Sequence, residues 1–273
     1  MKKFEGILIC TDLDGTLLKN DKSVSRENLD AIEYFKSEGG YFTFITGRMP
    51  FYVTDIFNTV KPNAPIGCVN GGGIFDFAQN KYLWTKDLSR GSLDLVDSVL
   101  EQVPDIGYQV STFDRVYFCR DNSAMEHFRR VTRVPNIIKH HRDIDEPMAK
   151  ILFADEDESR ILLVKNILEN HPRADEYDFI RSEKTLFEIL PKGISKGSVL
   201  PVMAKILGVD MAKTVAIGDY NNDIEMIKKA GIGIAVANAS PDAKKVADHI
   251  TVSNEEHAIA QTVYDIENGI LRI

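Results

Sequence analysis

The chain has 273 residues, 44% of them hydrophobic and 27% charged, and carries a formal net charge of −8. That length suits one large α/β domain or a domain with an insert, and it can bury a substantial core. The acidic balance argues against a nucleic acid held on a broad basic surface, but it leaves room for a small anionic substrate, because a bound cation and one or two lysines reverse the sign locally.

The first element is a short apolar run, Ile7-Leu8-Ile9-Cys10-Thr11, which reads as a buried strand. It ends in two carboxylates, Asp12 and Asp14, before a Gly15-Thr16 turn. Open parallel sheets bind ligands at the carboxyl edge of their strands, and the turn can carry the second acid over that edge. Two carboxylates so close repel unless a cation or a shared proton lies between them, so packing alone does not account for the pair. They can hold a divalent cation and leave one group for proton transfer; the bland alternative is an acidic surface turn.

Ser25 is placed to cap a helix carrying Leu29, Ile32 and Phe35, which Gly39-Gly40 stops. Tyr41–Ile45 reads as a second strand ending in Thr46-Gly47-Arg48. A helix through Tyr52–Val60 follows, then a third strand, Ile66–Val69, closing on Asn70-Gly71-Gly72-Gly73. Strand, helix, strand, helix, strand at this spacing is a right-handed parallel layout. From about Leu83 to Leu190 the style changes. Short strands near Tyr108–Phe113, Arg115–Arg120, Lys150–Ala154, Phe179–Arg181 and Leu186–Leu190 alternate with helices around Leu93–Val103, Ala124–Val131 and Ile161–Leu168, as in an antiparallel α+β module. After Pro191 the parallel style returns. It has a helix bearing Val199, Met203 and Leu207, a strand Thr214–Ile217 running into Gly218-Asp219, a helix Ile224–Ala230 and a strand Ile232–Val236. Pro201 falls inside the first of these helices and is expected to shorten or kink it. The fold expected is α/β: a Rossmann-like parallel-sheet core in two parts, residues 1–83 and 191–273, interrupted by an α+β insert, residues 84–190.

Cys10, Cys68 and Cys119 are far apart and in no CxxC arrangement, so they read as reduced thiols and not as a disulfide framework. Met1-Lys2-Lys3-Phe4-Glu5 is followed by too few apolar residues for a signal peptide, and no run is long enough to span a bilayer. A soluble, cytoplasmic protein without a membrane partner is expected, as monomer or small homo-oligomer.

Four signals fall where parallel strands end or a helix begins: Asp12-Leu13-Asp14-Gly15-Thr16, Ile45-Thr46-Gly47-Arg48, the lysine of Ile194-Ser195-Lys196-Gly197, and Gly218-Asp219-Tyr220-Asn221-Asn222-Asp223. In that order they resemble the motifs of the haloacid dehalogenase superfamily, and more narrowly its Cof-type phosphatases with an inserted type IIB cap. The resemblance covers essentially the whole chain. It implies a Mg²⁺-dependent phosphatase acting on phosphate monoesters of small metabolites, such as sugar phosphates or phosphorylated cofactors. By the same resemblance Asp12 is the nucleophile that forms an aspartyl-phosphate, and Asp14 protonates the leaving oxygen and then activates water. Mg²⁺ lies on Asp12, the backbone carbonyl of Asp14 and Asp219, with Asp223 behind them. Thr46, through its hydroxyl and N–H, binds the substrate phosphate with Lys196 and Asn222, and the amides of Leu13–Gly15 help cradle the developing charge. Phosphate esters need such help because the dianion repels an anionic nucleophile and hydrolyses extremely slowly unaided.

Other features carry less. Arg48 either touches substrate or pairs with an acid to hold its loop, the second being favoured. Asn70-Gly71-Gly72 serves tight backbone geometry first and the edge of the site second. Lys139-His140-His141-Arg142 reads as a solvated loop, Arg129, Arg130 and Arg133 as a charged outer face, and Phe75, Phe77 and Trp84 as packing near the first crossing into the insert. Two other functions compete with the phosphatase. One is a phosphomutase of the phosphomannomutase type, which would need an activating bisphosphate; the other is a catalytically silent phosphometabolite-binding protein. Dehalogenase activity is disfavoured because those relatives lack the acid that Asp14 supplies.

Overall fold

The opening apolar run forms the strand Leu8–Thr11, buried along its whole length, in a computed structural model that describes residues 2–132 and 135–273. It is a central strand. The sheet order is His249–Ile250, Ile232–Ala235, Thr214–Gly218, Leu8–Thr11, Tyr41–Phe44, every neighbour parallel. A strand paired on both sides and covered on both faces needs apolar residues throughout, which is why this one shows no alternation. Thr11 is level with Ile217 on one side and with Phe44 on the other. The residues that follow each of these three therefore leave the sheet at one edge.

This sheet belongs to a compact unit built from both ends of the chain, Met1–Thr85 and Ser195–Ile273. Leu8, Cys10 and Ala216 point to one face and pack with Val199, Leu200 and Met203 of the helix Lys196–Leu207 and with Met226 of the helix Ile224–Lys229. Each fully buried leucine, valine or methionine of this set contributes roughly 1.5–3 kcal/mol. Helix Arg26–Ser37, capped by Ser25, lies beside the C-terminal helix Ala258–Glu267, where the Ala260 N–H donates to Asn28 Oδ1 at 3.0 Å. Pro201 does not shorten the helix, which runs unbroken from Lys196 to Leu207. Its missing N–H removes only one bond close to the helix start, and a capping box between Ser195 and Ser198 secures the first turn. A three-stranded antiparallel sheet, Ile66–Cys68, Gly73–Asp76 and Lys81–Thr85, follows the second core strand. Phe77, just past its second strand, stacks on Phe57 of the helix Thr54–Val60 at 4.0 Å, and Phe75 meets Tyr82 edge-on at 5.0 Å.

The second compact unit is Lys86–Ile194. Six strands lie in the order Tyr177–Glu183, Leu186–Pro191, Met148–Ala154, Gly107–Thr112, Val116–Arg120, Ile137–Ile138, antiparallel except the last pair. Tyr108, Val110, Ile151, Phe153 and Ile189 point to one face, where they pack with Val96 and Val99 of helix Ser92–Gln102 and Ile161 and Val164 of helix Glu158–Glu169. The alternate positions carry Gln109, Ser111, Lys150 and Glu188, all buried; Lys150 Nζ lies 2.7 Å from Glu188 Oε2.

Two expectations fail in this unit. His141 is not in a solvated loop. It is 1% exposed, with Nδ1 2.8 Å from the Tyr108 hydroxyl and Nε2 2.9 Å from Asp97 Oδ1. Arg129 is not on an outer face, since its guanidinium lies over the Phe118 ring and 2.7 Å from Asp121. A cluster of basic letters does not show that the stem of an arginine or the ring of a histidine is covered by neighbours distant in sequence. Arg133 lies outside the described residues. Among those residues, no helix is long and apolar enough to cross a membrane.

Candidate active site

The parallel register brings the ends of three strands to one sheet edge, and a helix N-terminus joins them. Asp12 leaves the first strand with its N–H still donating to the Ile217 carbonyl at 2.9 Å, and it is 6% exposed. Lys196, the first residue of its helix and 1% exposed, donates from Nζ to Asp12 Oδ1 at 2.6 Å and to Asp223 Oδ1 at 2.7 Å. The other oxygen of Asp223 accepts from the N–H groups of Asp219 and Tyr220, each at 3.0 Å. Asp223 thus has both carboxylate oxygens engaged by the protein.

Asp12, Asp219 and Asp223 each offer a carboxylate oxygen, all within 4.8 Å of one another. Burial pushes the Asp12 carboxyl up to about 8, with Lys196 opposing and the two neighbouring carboxylates adding to the rise. Burial, again with Asp223, pushes Asp219 up to about 6. Burial also works against the charge of Lys196, but Asp12 and Asp223 outweigh it and its pKa is raised, so it stays cationic. One lysine facing three carboxylates leaves a deficit of positive charge, and a set of hard oxygen donors in that state fits a divalent ion such as Mg²⁺.

Asp14 is not in this cluster. Its carboxylate accepts a fork from Arg48, Nε to Oδ2 at 3.0 Å and Nη2 to Oδ1 at 2.7 Å, and a third bond from Lys22 Nζ to Oδ1 at 2.9 Å. Burial raises this carboxyl, but the two cations outweigh it and the net shift is downward. Arg48 therefore pairs with an acid of the opening turn, the reading favoured from the sequence.

Thr46 is 2% exposed at the end of the neighbouring strand. One expectation needs correcting here. The Thr46 N–H is used by the Gly67 carbonyl at 3.0 Å, because the third strand bridges alongside at Ile45 and Gly67. What remains is its hydroxyl, which accepts from the Arg48 N–H at 3.2 Å and keeps its own proton to donate. Asn222 reaches the same edge and donates from Nδ2 toward Asn70 Oδ1 at 3.4 Å.

One support was not read from the sequence as a site residue. Thr16, fully buried, donates to Asp219 Oδ1 at 2.9 Å. Its place directly after Gly15 was the available signal, for Gly15 has φ +81° and a Cβ there would lie 2.6 Å from Asp219 Oδ2. The Asn70-Gly71 edge expected from the sequence is built as a left-handed run, Val69 (φ 55°), Asn70 (φ 52°) and Gly71 (φ 95°). A β-branched residue at positive φ is costly, and such strain gathers at functional sites. Here it seats Asn70, 1% exposed, between Thr46-Gly47 and Asn222. No strand pattern announces a left-handed valine.

A family model described as haloacid dehalogenase-like hydrolase matches residues 9–263. The Bacillus subtilis (strain 168) protein YxeH is 30% identical over 272 residues, spanning 95% of this chain and 97% of its own length. YitU of the same organism, a 5-amino-6-(5-phospho-D-ribitylamino)uracil phosphatase, is 28% identical over 262 residues, spanning 93% and 95%. Among solved structures, a haloacid dehalogenase-like hydrolase from Bacteroides thetaiotaomicron superposes with a TM-score of 0.85 at 25% identity, covering 96% of this chain and 100% of that one.

Proposed function

The chain belongs to the haloacid dehalogenase-like hydrolase family, and from that premise we propose that it is a Mg²⁺-dependent phosphatase that hydrolyses phosphate monoesters of small metabolites through an aspartyl-phosphate on Asp12. The observation that carries this reading is the buried Asp12–Lys196–Asp223 array with Asp219 alongside. A carboxylate poised at a sheet edge, beside a fixed cation and a further acidic group, is suited to attack an electrophile that is itself anionic. The phosphatase activity of YitU, a relative matched along nearly its full length, points the same way.

Asp12 and Asp219, with the backbone carbonyl of Asp14, would hold the Mg²⁺, and Asp223 supports them through Lys196 and the Asp219 N–H. Bound there, the ion neutralises charge on both the carboxylate and the phosphoryl oxygens. Lys196, the Thr46 hydroxyl and the Asn222 amide receive the phosphoryl oxygens. Asp12 Oδ attacks phosphorus, the bond to the ester oxygen breaks, and Asp14, which has to take up a proton against the pull of Arg48 and Lys22 as the phosphate dianion enters, passes that proton to the leaving oxygen. Asp14, now ionised, takes a proton from the water that releases phosphate and regenerates Asp12. The residues above read only phosphate and metal, so they do not select the leaving group. Phosphorylated metabolites with a sugar or cofactor leaving group are the substrate class.

The test is phosphate release over a panel of sugar phosphates and phosphorylated cofactors, with Mg²⁺ and with chelator. Wild-type protein is expected to release phosphate from at least one ester only when Mg²⁺ is present. Binding of such esters without turnover under Mg²⁺ would instead favour the silent binding protein.

A further inference from the structure

The turn Val69-Asn70-Gly71 is built in a way that closing a hairpin does not require. It joins the antiparallel strands Ile66–Cys68 and Gly73–Asp76, and favoured hairpin loops ask for positive φ at one or two residues, usually Asn and Gly. Here three residues in a row are left-handed, and the first is a buried valine, a β-branched type that resists this conformation. The contacts around the turn show what it is shaped to meet. The Val69 N–H donates to the Arg48 carbonyl at 3.1 Å, and the Asn70 N–H to the Thr46 carbonyl at 3.0 Å. Gly71 lies so near the Lys196 helix that a Cβ there would stand 2.1 Å from the Ser195 carbonyl oxygen. The turn is thus wedged between the segment carrying Thr46 and the one carrying Lys196. Its asparagine reaches a third segment, Asn70 Oδ1 accepting from Asn222 Nδ2 at 3.4 Å. A Cβ on Gly47 would lie 2.8 Å from that same oxygen, so a side chain at position 47 would displace it.

Asn70 is 1% exposed, too covered to receive a ligand itself, whereas Asn222 is half-buried. What Asn70 can do is decide which way Asn222 faces. A primary amide has a donor end and an acceptor end of nearly equal shape. Beside a phosphate the two have opposite worth, since the oxygen repels what the nitrogen binds. An acceptor held next to Asn222 engages one proton of its nitrogen and leaves the second for a phosphoryl oxygen. We propose that Asn70 is a positioning residue: seated by its left-handed turn, it orients the Asn222 amide so that the nitrogen meets bound phosphate. The inference rests on the phosphatase reading above and deepens it.

The experiment measures affinity for inorganic phosphate by titration calorimetry, and kcat/KM on the fastest ester of the phosphate-release panel, both at saturating Mg²⁺. Wild type is compared with Asn70→Gly, Asn222→Ala and the double variant. Glycine takes left-handed backbone without strain, so Asn70→Gly removes the amide and keeps the turn. A hydrogen bond to a charged group is worth about tenfold or more; each single variant is expected to weaken phosphate binding and to lower kcat/KM by about tenfold. Groups that act as one unit do not add, so the double variant is expected to lose about tenfold as well, and not the roughly 100-fold of independent effects. Asn70→Ala strains the turn besides removing the amide. It is expected to melt below Asn70→Gly yet to match its phosphate affinity. Wild-type affinity and kcat/KM in Asn70→Gly or in Asn222→Ala, multiplying losses in the double variant, or a much larger loss in Asn70→Ala than in Asn70→Gly each overturns the proposal. Wild type that binds phosphate but turns over no ester contradicts the phosphatase reading alone, because the cycle is still read in the affinities. Wild type that does neither overturns both.

Discussion

At the scale of single residues, Lys196 holds the site's charges together. Its ammonium bonds to two carboxylates in a pocket where all three groups are nearly or fully buried. Removing one partner from a buried ionic array leaves the others uncompensated and costs about 3–5 kcal/mol. Lys196→Met should accordingly unfold at markedly lower denaturant in the absence of metal, and Mg²⁺ should restore part of the loss by neutralising Asp12 and Asp219; urea titration with and without the ion checks both. A variant as stable as wild type without metal would contradict this picture of the site. Gly71 presents a steric constraint of a different kind. It sits at φ +95°, and a Cβ there would fall 2.1 Å from the Ser195 carbonyl oxygen. Gly71→Ala therefore strains its own backbone and pushes on the residue that caps the Lys196 helix. A loss of about 2 kcal/mol or more is expected by thermal denaturation, against gains of under 1 kcal/mol where alanine replaces glycine without strain.

Among elements, the helix Ser92–Gln102 and the segment holding His141 are joined by a buried imidazole. Burial, opposed by Asp97, holds His141 below its ordinary value of 6.5. With the folded value depressed, its contribution to stability is complete above about pH 6.5 and is lost as pH falls through the folded value. Melting temperature should thus fall between neutral and mildly acidic pH in wild type and fall less steeply in His141→Gln; parallel curves would dispose of the role. In the same unit, Lys150→Met strands Glu188, 3% exposed, and should cost about 3–5 kcal/mol, whereas Lys150→Met with Glu188→Leu should recover most of it. The elements themselves were legible to different degrees. Leu8–Thr11 and Thr214–Gly218 stand out because double-sided burial leaves continuous apolar runs, and Ser25, Gly39 and Gly208 mark helix ends by chemistry that depends on neighbours alone. Gly73–Asp76 and Lys81–Thr85 were missed because short strands half-covered by aromatics show neither alternation nor a continuous run. Pro201 leaves its helix at full length for a related reason: its effect depends on how firmly the first helical turn is capped, which is set by Ser195 and Ser198 together.

For the whole molecule, the chain order places the acids of the opening turn, Asp12 and Asp14, more than 180 residues before Lys196 and Asp219, and only the parallel sheet brings them to one edge. The residue types at that edge were readable because each follows a recognisable strand or opens a helix. Of their bonding only the pairing of Arg48 with an acid was readable, since the occupation of the Thr46 N–H by Gly67 and the support of Asp219 by Thr16 depend on contacts between distant segments. The proposed reading, in which the core residues recognise only phosphate and metal, predicts small esters as the favoured substrates. A folded phosphoprotein dephosphorylated faster than any metabolite in the same assay would count against it. The claim on which the rest depends is that Asp12 becomes phosphorylated. Acid quench of enzyme turning over a radiolabelled phosphate ester, followed by peptide mapping, tests it most directly. The label should appear on the peptide containing Asp12 in wild type and be absent from Asp12→Asn, which folds but does not turn over. Undiminished turnover by Asp12→Asn, or label carried on a different peptide, would contradict the account.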